Sequence, residues 1–190
     1  NKLIPKPITN INKRLEYFFV FYVTNVVANE INKKLNKLFD DLLVSTNVAS
    51  LEIEQKIWKL WSTHPNDNSL TLMLEKGSDA VNNNDLFKAI DIFTTVINLD
   101  SKWAEPWNKR ATVFYMIGEY QKSQKDINKV LELEKRHFGA LAGQGLVNIK
   151  LKNYEKAIKS YENALKIYPS MQSPERMIKE IEALIKQDLI

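Results

Sequence analysis

The sequence predicts an all-α protein built from a stack of antiparallel helix pairs, and three observations support this prediction. Small and large apolar residues recur with a period of 34 through the middle of the chain. Within each period the apolar residues follow the spacing of an amphipathic helix. The composition, with 44% hydrophobic residues, 5 Gly and 6 Pro among 190 residues, suits a globular chain and excludes collagen-like and low-complexity classes.

The repeat is defined by columns of residues that keep their size class. Small residues, which allow two helices to approach closely, recur at Gly77, Ala111 and Gly145, and again at Ala89, Ser123 and Ala157. Large apolar residues, which fill the space between helices, recur at Leu86, Tyr120 and Tyr154, at Phe93, Ile127 and Tyr161, and at Leu99, Leu133 and Ile167. The sequence therefore predicts three units, 70–103, 104–137 and 138–171, within a repeat region of residues 69–171.

Each unit is predicted to contain two helices, here called helix A and helix B. Ser69 is the expected N-cap of the first helix A, and the polar run 82–85 is expected to end it. Gly118 is expected to end helix A of the second unit, and Pro169 stops helix B of the third. The short breaks make the two helices of a unit antiparallel neighbours.

The segments on both sides of the repeats are predicted to cap the stack. Residues 29–68 carry apolar residues at helical spacing in two stretches, which predicts a degenerate helical hairpin as the N-terminal cap. Residues 172–190 begin with a helix start signal at Ser173 and Pro174 and predict a C-terminal capping helix. Such ends are needed because a terminal unit otherwise exposes its packing face.

Residues 1–28 have the three parts of a secretory signal peptide. A basic region precedes the apolar run 17–23, and the small Ala28 offers a cleavage point. An interfacial or core-packed N-terminal extension is the alternative, since Glu16 and Asn25 interrupt the pattern. The signal peptide predicts a periplasmic or exported protein and the extension allows a cytoplasmic one. Membrane contact is expected only through this segment, if it is uncleaved.

The columns resemble the tetratricopeptide repeat (TPR), a helix–turn–helix of the same length. The third unit matches its usual pattern at Leu141, Gly145, Tyr154, Ala157, Tyr161, Ala164 and Pro169. It departs from that pattern at Gln144 and Asn148. The strings 104–112 and 136–141 are similar to a group of bacterial, chiefly alphaproteobacterial, exported repeat proteins with no assigned activity. The resemblance implies a right-handed superhelix, or α-solenoid.

The residue inventory argues against an enzyme. The chain has no Cys, which excludes disulfides, thiol catalysis and thiolate zinc sites. The two histidines, His64 and His137, are too few for an imidazole-rich metal site or for most acid–base schemes. His137 is expected to be an exposed residue of a turn between units. We therefore expect no catalytic residues, no metal ligands and no cofactor.

The charge distribution gives no sign of a nucleic-acid partner. The formal net charge is +4, and most of it lies within residues 1–28, where four basic residues accompany one acid. The rest of the chain is close to neutral, whereas a nucleic-acid binder needs a concentrated basic surface.

The resemblance implies a concave groove, lined by helix A of each unit, that binds a protein or peptide. The candidate binding residues are Ser78, Asn82, Asn108, Arg110, Thr112, Tyr115, Leu146 and Ile149. A clamp for a peptide carboxylate, which some relatives build from Lys, Asn and Arg, is not supported because few such residues occupy the required positions. The groove is expected to be neutral, with an apolar wall in the third unit.

Two interpretations of function remain open. The first is a non-catalytic protein–protein interaction module that binds a ligand in the groove. The second is a structural or assembly protein that self-associates through its terminal helices. Arg110 is also open to two interpretations, because a guanidinium at a usually buried position must either pair with an acid such as Asp79 or Asp126 or meet an acidic ligand group.

Overall fold

The computed structural model describes Val26 and residues 29–188, and over this part of the chain it contains helices and no strands. Apart from Val26, the expected signal segment 1–28 lies outside the described residues. The helices are α1 (29–44), α2 (Asn47–Ser62), α3 (Asn68–Asn82), α4 (Leu86–Leu99), α5 (Ala104–Met116), α6 (Tyr120–Leu133), α7 (Phe138–Lys150), α8 (Tyr154–Ile167) and α9 (Gln172–Asp188). None of the described helices combines the length and the apolar character that crossing a membrane requires.

Helices α3 to α8 form three antiparallel pairs that stack side by side as an α-solenoid. Each helix packs on the one before it, and the starts of α4, α6 and α8 are 34 residues apart in sequence. Helix α9 packs on α8, where Ile181 joins the core around Ala157 and Tyr161. The period seen in the sequence is therefore the period of the stack.

The helix ends follow from local hydrogen bonding. The N-cap of α3 is Asp67 rather than the expected Ser69, because the Asp67 carboxylate accepts hydrogen bonds from the backbone N–H of Ser69 at 2.8 Å and from its hydroxyl at 2.6 Å. The bonds from Ser69 lower the pKa of Asp67 below its usual value. A residue of positive φ follows two positions after the end of each helix A; these are Asn84, Gly118 and Lys152, again one period apart.

Glycine is required where helices A and B of a unit cross most closely. A Cβ on Gly145 would lie 2.5 Å from the ring of Tyr161, and a Cβ on Gly77 would collide with Phe93. In the second unit the same two positions hold Ala111 and Ile127, which share one buried cluster. A larger residue on helix A is therefore paired with a smaller side chain on helix B.

Replacing Gly145 with alanine is expected to lower the free energy of unfolding by about 1–3 kcal/mol, because the methyl group overpacks the contact with Tyr161. Adding Tyr161→Ile recreates the alanine and isoleucine combination of the second unit and should recover part of this loss. Urea denaturation of Gly145→Ala, of Tyr161→Ile and of the double variant measures both effects. A neutral Gly145→Ala, or a double variant as unstable as the sum of its parts, would contradict this account of the crossing.

The α1–α2 hairpin does not cap the end of the stack, so the predicted position of the N-terminal cap is wrong. Its buried residues Leu35, Phe39 and Trp61 form one cluster with Phe138 and Tyr168 of the third unit. Sequence periodicity shows which face of a hairpin is apolar but not which surface that face will contact. We call α1–α2 the strap.

The strap crosses all three units along the turns that join them. The turn that follows α2 meets the first unit, where the His64 N–H donates to Thr71 Oγ1 at 2.9 Å. The Trp61 carbonyl accepts a hydrogen bond from Trp103 Nε1 at 2.8 Å, before the second unit. At the far end, Tyr168 Oη donates to Glu54 at 3.1 Å. The strap therefore lies beside the N-terminal ends of the helices that were expected to line the groove.

Candidate functional site

The strap covers the start of α7. The Trp61 ring stacks on His137 with 4.0 Å between centroids and 8° between planes. Trp58 lies against Gly139, where an added Cβ would come within 2.5 Å of its ring. Gly139 lies in the first turn of α7, one of the A helices expected to line the groove, so this end of the groove is occupied by the chain itself.

A fully buried His137–Glu105 pair lies beneath Trp61. His137 Nδ1 accepts a hydrogen bond from the Ala140 N–H at 3.1 Å and so caps α7. The ring proton is therefore on Nε2, which donates to Glu105 Oε2 at 3.1 Å. The expectation that His137 is exposed is wrong, because the strap shields the turn in which it lies.

Glu105 also contacts Asn108 and Lys109, two hydrogen-bond donors of α5 that could otherwise bind the carboxylate of a ligand. Asn108 Nδ2 lies 3.3 Å from one Glu105 oxygen, and Lys109 Nζ lies 3.7 Å from the other. Both donors are thus directed at a carboxylate of the same chain.

An open cleft remains between α5 and α7, next to the end that the strap covers. Four candidate residues line it, Asn108, Thr112, Tyr115 and Leu146. The cleft has a volume of about 70 Å³, far below the roughly 300–1,000 Å³ of small-molecule sites. It can take one side chain of a larger ligand, and its walls are neutral and largely apolar.

Arg110 is not part of this cleft. Its guanidinium forms two hydrogen bonds to Asp126, at 2.7 and 2.9 Å, and a third to Thr94 Oγ1 at 2.9 Å. These partners lie on the B helices α6 and α4, so the charge is fixed between helices. The prediction that Arg110 lines the groove is therefore wrong. Of the two interpretations of this residue, the structure agrees with the one that pairs it with Asp126.

The remaining three candidates lie apart from the cleft. Ile149 packs against the core that α9 completes. Ser78 lines a separate opening between α3 and the end of the strap. Asn82 is exposed in the last turn of α3. Within the described part of the chain, no three His, Asp or Glu side chains cluster closely enough to hold a metal ion.

Sequence reasoning missed the contacts of the strap, although a signal for them exists. The turns before the second and third units, and the turn after the third, carry Trp103, His137 and Met171 at intervals of 34 residues. Large side chains are unusual in solvated turns. The recurrence of large side chains in these turns therefore indicates the surface against which α1 and α2 pack.

Comparison with known proteins agrees with the geometry. The tetratricopeptide repeat family profile matches residues 139–171. A TPR repeat-containing protein of Rhizobium etli is 37% identical over 79 residues, which is 42% of this chain and 39% of that protein. The chain thus matches only about two fifths of the length of this relative.

Two solved structures are similar to the chain in fold. The first TPR domain of Spaghetti (RPAP3), bound to the HSP90 peptide SRMEEVD, aligns with a TM-score of 0.60 and 20% identity over 62% of this chain and 93% of that one. MamA aligns with a TM-score of 0.57 and 20% identity over 87% of this chain and 86% of that one. The third helix pair thus matches the tetratricopeptide repeat, and the two pairs before it keep the same 34-residue register within a fold similar to that of the solved TPR domains.

Proposed function

We propose that the chain is a non-catalytic interaction module that binds a peptide or protein segment in the cleft between α5 and α7. One observation carries the proposal: two adjacent A helices bring Thr112, Tyr115 and Leu146 to one open surface. Thr112 and Leu146 are exposed there, and Tyr115 is half-buried at the edge of the core. Half-exposed aromatic and aliphatic side chains in a concave surface are typical anchors for a protein ligand.

The chemistry of the cleft favours an apolar ligand side chain. The RPAP3 domain binds a peptide that ends in acidic residues, SRMEEVD. In this chain Asn108 and Lys109 are already engaged by Glu105, and the open walls carry no cation. We therefore infer a ligand that inserts a leucine-like or aromatic residue between Tyr115 and Leu146 and depends little on its own charge.

Tyr115→Ala combined with Leu146→Ser is expected to weaken ligand binding at least tenfold while leaving the circular dichroism spectrum unchanged. Peptides selected from a display library against the parent chain serve as ligands, and fluorescence anisotropy measures their affinity. Tenfold corresponds to about 1.4 kcal/mol, a modest loss for two anchor residues.

Lys125→Glu is the matched control, because Lys125 is exposed on helix B of the second unit, outside the cleft. This variant should bind the selected peptides as the parent does. If Lys125→Glu abolishes binding and the double variant does not, the ligand contacts the outer surface and the proposed cleft is wrong.

Self-association is a second candidate function, and one surface favours it. Four apolar residues around the elbow of the strap are exposed, Leu43, Val44, Val48 and Leu51. Contiguous exposed apolar residues of this kind mark interaction surfaces. Sedimentation of the parent chain and of a Val44→Lys, Val48→Lys variant over a range of concentrations tests this candidate. A mass that rises with concentration only for the parent supports it, and a constant monomer mass contradicts it.

A further inference from the structure

A second cleft lies on the other side of α7, and its lining is polar. It has a volume of about 430 Å³, within the range of ligand sites, and it lies between α6 and α8. Gln144 and Asn148 of α7 form its floor. Residues two apart on a helix point about 200° from each other, so Gln144 and Leu146 face opposite sides of α7. This cleft is therefore separate from the proposed groove.

The floor of this cleft departs from the corresponding positions of the second unit. One period earlier, Gln144 and Asn148 correspond to Arg110 and Phe114. The Arg110 guanidinium lies 5.6 Å from the centre of the Phe114 ring, so the two large side chains fill the space in the second unit. In the third unit two smaller amides occupy the same positions and leave an opening.

The buried polar side chains of the floor stabilise the fold less than apolar side chains of similar size would at the same positions. Asn148 and the neighbouring Ser160 are buried, at 7% and 4% exposure. Burying an amide or hydroxyl costs free energy wherever one of its donors or acceptors lacks a partner, and the two preceding units have the apolar Ala80 and Phe114 at the position of Asn148. Places where a sequence breaks its own structural rule are commonly functional sites.

The hydrogen bonding around the cleft is incomplete. Ser160 Oγ donates to Gln144 Oε1 at 3.1 Å, and Gln124 Nε2 donates to Asn128 Oδ1 at 2.8 Å. Gln124 Oε1 is buried and accepts no hydrogen bond from any described residue. Exchanging the oxygen and nitrogen of this amide leaves the same position unpaired. Buried groups of this kind are rare and call for an explanation.

The charge and the residue types of the lining indicate which class of ligand the cleft can bind. Lys156 and Lys159 stand at the edge, and none of the side chains that the structure places around the cleft is a carboxylate or an aromatic ring. Lys159 pairs with Glu162 at 3.3 Å on the outer surface, while the described residues give Lys156 no ion pair. The lining therefore attracts an anion but offers no stacking surface for a sugar or a nucleobase.

We propose that this amide-lined cleft binds an extended peptide segment that carries an acidic residue. A side-chain amide offers one donor and one acceptor side by side, which matches the N–H and C=O of an extended backbone. Gln144 and Asn148 on α7, with Asn128 on α6, would bind the main chain, and Lys156 would bind the carboxylate. The site would operate independently of the α5–α7 cleft.

The test uses a blocked peptide of four alanines around a central glutamate, titrated into the isotopically labelled chain and followed by NMR. Saturable shifts of the side-chain amide signals of Gln124, Asn128, Gln144 and Asn148 are expected. A peptide with lysine in place of the glutamate should bind at least tenfold more weakly. Absence of saturable shifts with the glutamate peptide, or equal affinity for both peptides, overturns the proposal.

Gln144→Leu with Asn148→Phe is the decisive variant, because it removes both amides of the floor and places at position 148 the phenylalanine that the second unit has there. It should remain folded, melt at a higher temperature and bind the glutamate peptide at least tenfold more weakly. Unchanged affinity of this variant would overturn the proposal. The proposal would also be overturned if sodium phosphate produced the same shifts at equal ionic strength, because the cleft would then be a simple anion site. The Tyr115→Ala, Leu146→Ser variant should bind this peptide normally, so the two proposals fail separately.

Discussion

Replacing Trp61 with alanine should lower the free energy of unfolding by about 3–5 kcal/mol, the usual cost of deleting a large buried aromatic side chain. Trp61 is buried between Phe39 of the strap and Phe138 of α7, and its ring covers His137. The truncation leaves a cavity and also admits water to the buried Glu105–His137 pair, so both effects act in the same direction.

Urea denaturation measures this loss, and Leu51→Ala on the same helix is the control. Leu51 is about half exposed, so its truncation should change stability by no more than about 0.5 kcal/mol. Amide hydrogen exchange adds a second readout, since the amides of α1 and α2 should lose protection before those of α3 to α8. If Trp61→Ala is as mild as Leu51→Ala, the strap does not pack on the repeats in solution.

The helix pairs could be predicted because their determinants are local. The columns of Gly77, Ala111 and Gly145 and of their partners on helix B record contacts between helices that are neighbours in sequence. Such contacts leave a period that needs no knowledge of the tertiary arrangement. The one error of this kind, Ser69 in place of Asp67 as the N-cap, arose because both side chains can accept hydrogen bonds from the helix start.

The position of the strap could not be predicted in the same way. Its hydrogen bonds join residues far apart in sequence, such as Glu54 and Tyr168, which are 114 residues apart. An amphipathic pattern shows that the strap has an apolar face, and several surfaces of the stack could have met that face. The recurring large residues Trp103, His137 and Met171 indicate where the strap packs only once the turns between units are known to form one continuous surface.

The groove residues were predicted only in part, because the family resemblance indicates which sequence positions lie on helix A but not which atoms each side chain contacts. Asn108, Thr112, Tyr115 and Leu146 meet at one cleft as the repeat register implies. Arg110 belongs to a position that faces the preceding helix B, and its long side chain extends to Asp126 rather than to the groove. The register alone does not determine where such a flexible side chain ends.

The Arg110–Asp126 pair gives the second large effect. Replacing Asp126 with alanine should lower the free energy of unfolding by about 3 kcal/mol or more, because it leaves a guanidinium that is only 14% exposed without its two charge-assisted hydrogen bonds. Thr94 alone cannot compensate, since its hydroxyl satisfies a single N–H of Arg110.

Replacing both members of the pair with leucine should recover most of this loss, because apolar side chains of similar volume often match or exceed a buried ion pair in stability. Urea denaturation of the parent, the two single leucine variants and the double variant forms a cycle that isolates the coupling between the pair. A coupling below about 0.5 kcal/mol would mean that Arg110 points to solvent and is free to meet a ligand, as the rejected interpretation of this residue requires.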